Sequence, residues 1–309
     1  MDSQNVGKNR GLVAIVVLAI AFFLMLMAFA FFASKAVSGA KEDSFIMGDK
    51  SKNGPIAVVE VNGAIMSSKE IIEKLQQAEK KKKFKAIILR INSPGGAVAP
   101  CQEIYGEIVR IDQKKPIYAS FGSVAASGGY YLGAATRRIY SNAGTITGSI
   151  GVIMQMMDAS KLYELAKLKP EIIKAGIYKD IGSPHRPMKD NERSIMNSMI
   201  SGVHKQFMND ILKRRKEKIV GDLVDHAQGQ IFSGEDAKKL GLVDEVGSLW
   251  QAGRAIFDEL KLEGEFGFSF IKKKKKFSWL EFMENVEESI LDIREFVSKV
   301  DSPQLLFRM

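Results

Sequence analysis

The sequence predicts an α/β fold, and two observations carry the prediction. Apolar runs rich in β-branched residues, Ile56 to Val61 and Ala86 to Ile91, bracket a stretch in which Ile71, Ile72, Leu75 and Ala78 share one helical face. That is the spacing of a βαβ unit. The pattern then repeats: Ile104, Ile108 and Ile111 mark a helix, Pro116 to Ser120 a strand, and Ser127 to Ala135 a further helix. Two glycine-bearing turns, Gly95-Gly96 and Ser127-Gly128, fall at the carboxyl ends of strands, where α/β sheets carry their ligand crevices.

The remaining segments follow in chain order. Residues 1–10 are a polar N-terminus with Lys8 and Arg10, and residues 11–33 run without a charge, from Gly11 through Ala33. A helix of that length spans a bilayer. Ala28-Phe29-Ala30 resembles a processing site, but a cleaved signal has an apolar region of only about 7 to 15 residues, so an uncleaved transmembrane anchor is the better reading. Residues 34–53 are small and polar and read as a linker, residues 54–250 hold the α/β pattern, and residues 251–309 form a C-terminal helical extension. Between Asp190 and Lys216 the residues Ile195, Met199, Val203, Phe207 and Ile211 recur every fourth position, which predicts one long amphipathic helix. In the extension, Trp279 to Val300 shows a similar stripe with glutamates opposite. An acidic face disfavours anionic lipid, so a protein surface is the expected neighbour.

Charge and composition exclude several classes. The chain has 309 residues, 46% hydrophobic and 26% charged, with a net charge of +9. Two tracts, Lys80 to Lys83 with Lys85 and Lys272 to Lys276, hold ten of the positive charges, and the rest of the chain balances at −1. Nucleic acid is therefore not an expected partner. The first tract reads as a solvated helix end favoured by the helix dipole; the second is either a solvated segment or a site for phospholipid headgroups. Cys101 is the only cysteine and reads as a small buried apolar residue. No zinc-ligand spacing, phosphate-binding loop or dinucleotide fingerprint is present, so neither metal nor cofactor is expected.

The candidate chemistry centres on Ser127, in Ala125-Ala126-Ser127-Gly128-Gly129-Tyr130-Tyr131. A serine hydroxyl needs a neighbouring base to act as nucleophile, and a desolvated lysine can supply one. Lys179, in Ile177-Tyr178-Lys179-Asp180-Ile181, is the candidate, with Ile177, Tyr178 and Ile181 as apolar walls. A lysine base works near neutral pH only if burial brings its pKa from about 10.4 towards 7 or 8. Asp180 must then point elsewhere. A histidine base would have to come from His185, His204 or His226, none in a recognisable catalytic setting.

These residues stand with three further stretches: Arg90-Ile91-Asn92-Ser93-Pro94-Gly95-Gly96, Gly144-Thr145-Ile146-Thr147-Gly148-Ser149-Ile150-Gly151-Val152, and Phe232-Ser233-Gly234-Glu235-Asp236-Ala237 leading to Gly241-Leu242-Val243-Asp244. Over residues 54 to 250 the set resembles the bacterial signal peptide peptidase A family, a group of Ser-Lys peptidases, in its short membrane-anchored form. The resemblance implies a Clp protease/crotonase-like α/β fold of repeated ββα units, with Ser127 as nucleophile, Lys179 as general base and Ser149 hydrogen-bonding the lysine. It implies oxyanion binding at Gly95 and Gly96, to which the amide of Gly128 is a natural addition. It further implies cleaved signal peptides and other hydrophobic peptides as substrates, a ring- or dome-shaped homo-oligomer, and a catalytic domain on the extracytoplasmic side of the bacterial inner membrane. In such oligomers, serine and lysine of one site can come from neighbouring protomers. The alternatives are a crotonase-type acyl-CoA enzyme, which shares the fold and its glycine turns, and a catalytically inactive membrane-tethered scaffold.

Overall fold

The computed structural model describes residues 54–272 and the backbone of residues 305–307. The apolar span 11–33, the linker 34–53 and the amphipathic stretch 279–300 lie outside the described residues. Among the described residues no helix is long and apolar enough to cross a membrane.

In chain order the elements are β1 (Ile56–Asn62), α1 (Lys69–Lys80), β2 (Ala86–Ser93), β3 (Gly96–Ala97), α2 (Val98–Asp112), β4 (Ile117–Ala126), α3 (Gly128–Ala134), β5 (Ile139–Ser141), β6 (Ile146–Gly148) and β7 (Ile153–Met154). They continue with α4 (Ser160–Leu165), α5 (Asp190–Arg215), α6 (Leu223–His226), β8 (Ile231–Ser233), α7 (Gly234–Lys239), β9 (Glu245–Val246), α8 (Leu249–Glu259), β10 (Phe268–Phe270) and β11 (Leu305–Phe307). The main sheet has the parallel order β10-β1-β2-β4-β5-β9, while β6 extends it from the far end of β4 and β8 pairs antiparallel with β6. The α/β expectation holds.

Strand alternation builds two cores from one sheet. Ala57, Val59, Val61, Ile87, Leu89, Ile91, Ile117 and Ala119 face the layer of α1, α2 and α3, whereas Ile56, Val58, Ile88 and Tyr118 face α8 and its aromatic neighbours. Successive side chains of a strand point to opposite faces, so a sheet covered on both sides reads as a continuous apolar run. Both strand runs identified from the sequence are of this kind.

Two elements differ from the sequence reading. Strand β4 does not stop at Ser120 but continues through ten residues to Ala126. Gly122 and Ser123 lower its intrinsic strand preference, yet β4 pairs first with β5 and then, from Val124 to Ala126, with β6. Pairing overrides propensity, and the extension carries the chain to Ser127. Helix α5 is as long as expected, but only the second half of its stripe is core: Phe207 and Ile211 are buried, while Ile195 and Met199 are each 40% exposed. The first half carries its apolar stripe partly in solvent.

Candidate active site

At the end of β4 the backbone turns into α3 through Ser127, at φ 52° and ψ −117°. A non-glycine residue there is strained by roughly 1 to 3 kcal/mol and persists only where its surroundings hold it. They do: the Ser127 N–H donates to Gly148 O at 2.9 Å, and its carbonyl accepts from Tyr131 N at 2.9 Å. Tyr130 and Tyr131 then fix the helix. The Tyr130 hydroxyl donates to Leu242 O at 3.0 Å, and the Tyr131 hydroxyl to Asp210 Oδ2 on α5 at 2.6 Å. Burial and the carboxylate of Asp210 push the Tyr131 phenol far above its ordinary pKa, so it stays a donor.

The small residues around Ser127 have measurable reasons. A Cβ on Gly128 would lie 2.7 Å from Cys101 Sγ and 3.3 Å from both Gly95 Cα and Gly96 N, and one on Gly129 would lie 2.7 Å from Ser93 O. The two glycine turns thus meet, as expected from their places at strand ends. Among the described residues the Gly128 N–H finds no acceptor. The Ser127 hydroxyl is fully buried and also without a partner. An unpaired buried hydroxyl is costly in a purely structural role.

The second turn distributes its amides unequally. Gly95, at φ 107°, donates its N–H to Ser93 Oγ at 3.1 Å, and its carbonyl accepts from Ile65 N at 2.9 Å. Its amide is therefore committed inside the turn, and its part is to shape the loop. Gly96 packs its backbone on Ile65, where a Cβ would fall 2.1 Å from Ile65 O. Ser93, buried beneath, is a residue the sequence reading did not single out.

Ser149 lies beside Ser127 by register: Ala126 of β4 pairs with Gly148 of β6, and each strand ends in a serine of positive φ, 52° and 49°. The Ser149 N–H donates to Gln230 O at 2.6 Å. Its hydroxyl has no partner among the described residues.

Lys179 sits apart from this group. It lies on an irregular arm between β7 and α5, and it is exposed, with no ion pair or hydrogen bond from its amine to a described residue. The expected apolar enclosure is not made within one chain: Ile177 is 70% and Tyr178 41% exposed. Asp180 does point elsewhere. It pairs with Lys174 and, at 3.0 Å, with Arg186, which in turn holds Glu192 at 2.6 Å. Hydrogen bonds from Arg186 and Lys174 hold the Asp180 carboxyl well below the usual carboxylate range, and those from Arg186 and the Lys189 amide bring Glu192 down to about 2. The arm is thus locally braced while presenting apolar side chains, including Met157, Leu165 and Ile173, to solvent.

The other candidates resolve simply. His185 packs edge-on against Tyr163 with ring centroids 4.6 Å apart, and His226 Nε2 lies 3.0 Å from Val220 O. No histidine bonds to Ser127. Burial pushes the Cys101 thiol up to about 12, so it is inert and serves as the wall behind Gly128.

Comparison with known proteins identifies the family. Residues 110–263 match Peptidase family S49, and residues 52–161 match the Clp protease family. A candidate protease of Synechocystis sp. is 39% identical over 215 residues, which cover 67% of this chain and 77% of that protein. The chloroplastic serine protease SPPA of Arabidopsis thaliana is 35% identical over 62% of this chain but only 28% of its own length. A candidate signal peptide peptidase SppA of Enterococcus faecium is 31% identical, over 69% of this chain and 65% of that protein. The chain belongs to peptidase family S49, in its signal peptide peptidase A type.

Proposed function

We propose that the chain is a membrane-anchored serine endopeptidase that degrades cleaved signal peptides and similar apolar peptides through a Ser127-Lys179 dyad. The observation that carries the proposal is Ser127 itself: a buried, unpartnered hydroxyl on a strained strand-to-helix turn, beside the free amide of Gly128 and the hydroxyl of Ser149. In this mechanism the lysine amine removes the Ser127 proton, and Oγ attacks the peptide carbonyl carbon. The Gly128 N–H, with Gly96 alongside, stabilises the resulting oxyanion, an effect of about 3 to 4 kcal/mol per donor. The lysine then protonates the departing amine, and water releases the acyl group by the same base. Ser149 holds the lysine in line.

The exposure of Lys179 bears on how the base is completed. A lysine in water is charged near neutral pH and has no lone pair to take a proton, so in this reading the amine is shielded by a second copy of the chain. The exposed apolar side chains of the arm are a suitable seat for that copy, and the assembled ring or dome would bring one copy's lysine to the neighbour's serine. The 11–33 span would hold this assembly at the bacterial inner membrane, on its extracytoplasmic side, where cleaved signal peptides arise.

Membership of a peptidase family favours a peptide over an acyl-CoA substrate. The test against an inactive scaffold is labelling by a serine-directed phosphonate, followed by mass spectrometry. Adduct at Ser127, lost in Lys179→Ala, is the expected result; an unlabelled Ser127 in the full-length protein would leave the scaffold reading standing.

A further inference from the structure

We infer that Lys80, Lys81, Lys82, Lys83, Lys85 and Lys114 form a docking surface for the anionic headgroups of a bilayer, an inference that rests on the 11–33 anchor of the reading above and not on its dyad. All six are exposed, and none has a carboxylate partner among the described residues. The fold gathers them. Helices α1 and α2 both end at the edge where β2 and β4 begin. The Lys115 amine ties the two ends together, donating to Ala78 O and Glu79 O at 2.8 Å each and to Lys81 O at 2.9 Å. Phe84 is buried, and the amines of Lys83 and Lys81 lie 5.0 and 5.7 Å from its ring centroid. These contacts fix the loop between α1 and β2 while its lysine side chains stay exposed.

The sequence reading assigned this tract to the dipole of a helix end, but Lys115 already takes the terminal carbonyls of α1. Acidic neighbours do not balance the tract either. Glu79 on α1 and Glu107 on α2 both pair with Arg110, at 2.6 and 2.7 Å, and Asp112 at the end of α2 pairs with Arg137 and Arg214. The six ammonium groups therefore repel one another along one edge, and an anionic surface relieves that repulsion.

The place where the chain enters selects a bilayer over other polyanions. The Lys85 N–H donates to Pro55 O at 2.8 Å, and Ala86 is in register with Ile56, so the tract adjoins the first described residues. Residues 34–53 separate these from the apolar run 11–33, and a linker of that length averages about 25 Å end to end. Clusters of about four to eight basic residues close to a membrane-spanning segment are held by anionic lipid. The tract lies at the opposite ends of β2 and β4 from the Gly95-Gly96 and Ser127 turns, so headgroups bound there do not compete for the cleft.

The test is reductive methylation of the full-length protein, with formaldehyde as an uncharged reagent, in vesicles of phosphatidylcholine alone or with about 30% phosphatidylglycerol. Mass spectrometry reads the rate at each lysine. Rates at Lys80 to Lys85 and at Lys114 are expected to be about fivefold lower on the anionic vesicles, with exposed Lys205 of α5 unchanged, and about 1 M salt should abolish the difference. In the combined variant Lys81→Gln, Lys82→Gln, Lys83→Gln, all at exposed positions, protection of Lys85 and Lys114 should fall below about twofold. Equal rates on the two vesicles would overturn the inference. So would protection that is the same on both and grows with the protein-to-lipid ratio, which would assign this edge to a second copy of the chain. Extraction with alkaline carbonate separates the docking surface from the anchor. Protein that is released but floats with anionic vesicles alone would remove the anchor and keep the docking surface. Protein that is retained with equal rates would do the reverse, and protein that is released and floats with neither would remove both.

Discussion

The turn at Ser127 and the arm at Lys179 belong to one proposed reaction, yet they are built on opposite physical terms. Around Ser127 every neighbour is buried: Ala125, Ala126, Gly128, Gly129, Tyr130 and Tyr131 all lie in the interior, and the strained serine is held from both sides by backbone bonds. The arm from β7 to α5 keeps few core contacts, is braced by ion pairs, and offers apolar side chains to water. A rigid nucleophile can be completed inside one chain. Among the described residues Lys179 is left exposed, and in the proposed reading the arm finishes its burial against another copy.

Substitutions separate the two regions. The largest effect on the chain itself is expected from Arg215→Ala. Arg215 is fully buried, 2.9 Å from Asp244 Oδ2 and 2.9 Å from Gly241 O, and its loss leaves that carboxylate, which also anchors Ile139 N, with Lys218 at 2.7 Å as its remaining cation. Because Lys218 stays in place, the loss read by urea unfolding is expected at the lower end of the about 3 to 5 kcal/mol that breaking a buried pair costs.

Gly128→Ala comes next. Its methyl would meet Cys101 Sγ at 2.7 Å and displace the free amide, so kcat is expected to fall about a hundredfold, the effect of losing one oxyanion donor. Adding Cys101→Ala, which makes room, should recover part of that loss; no recovery would mean the methyl acts on something other than this wall.

The arm responds to acid before the turn does. The carboxyls of Asp180 and Glu192 are held below their ordinary values by Arg186. Depressed carboxylates stabilise fully above their unfolded pKa of about 4, and that stabilisation is lost as pH falls through the folded value. Hydrogen exchange of residues 174–192 should therefore quicken between roughly pH 4 and pH 2 while β4 stays protected; simultaneous loss of protection in both would deny the arm its separate bracing. The smallest effect on single-chain stability belongs to Ile173→Ser. Ile173 is 95% exposed, so unfolding should shift by less than about 0.5 kcal/mol, while association of the full-length protein, followed by light scattering, weakens.

What the sequence made legible follows the same division. The βαβ repeat was readable because buried parallel strands are continuous apolar runs, and the Ser127 turn was readable because glycines and alanines crowd a residue that must be approached closely. The second half of β4 was not, since Gly122 and Ser123 are weak strand formers carried between a segment paired with β5 and one paired with β6. Ser93 and Asp210 gave no sign of their parts, for a hydroxyl capping a glycine amide and a carboxylate receiving a tyrosine have no local pattern. The walls proposed for Lys179 failed for a related reason: Ile177 and Tyr178 are apolar, but apolar residues on an arm are buried only by what meets it. The same holds for the exposed half of the α5 stripe at Ile195 and Met199.

The most direct test of a dyad shared between copies is a mixing experiment. Ser127→Ala and Lys179→Ala, each purified full length and each inactive alone, would be dissociated, combined and reassembled before assay on an apolar peptide. Mixed assemblies contain some sites with an intact serine from one chain and an intact lysine from the other, so hydrolysis is expected to return, up to about a quarter of the wild-type rate for random pairing of equal amounts. Co-assembly of the two variants, shown by mass spectrometry, with no returning activity would contradict the account and place both groups of each site in one chain.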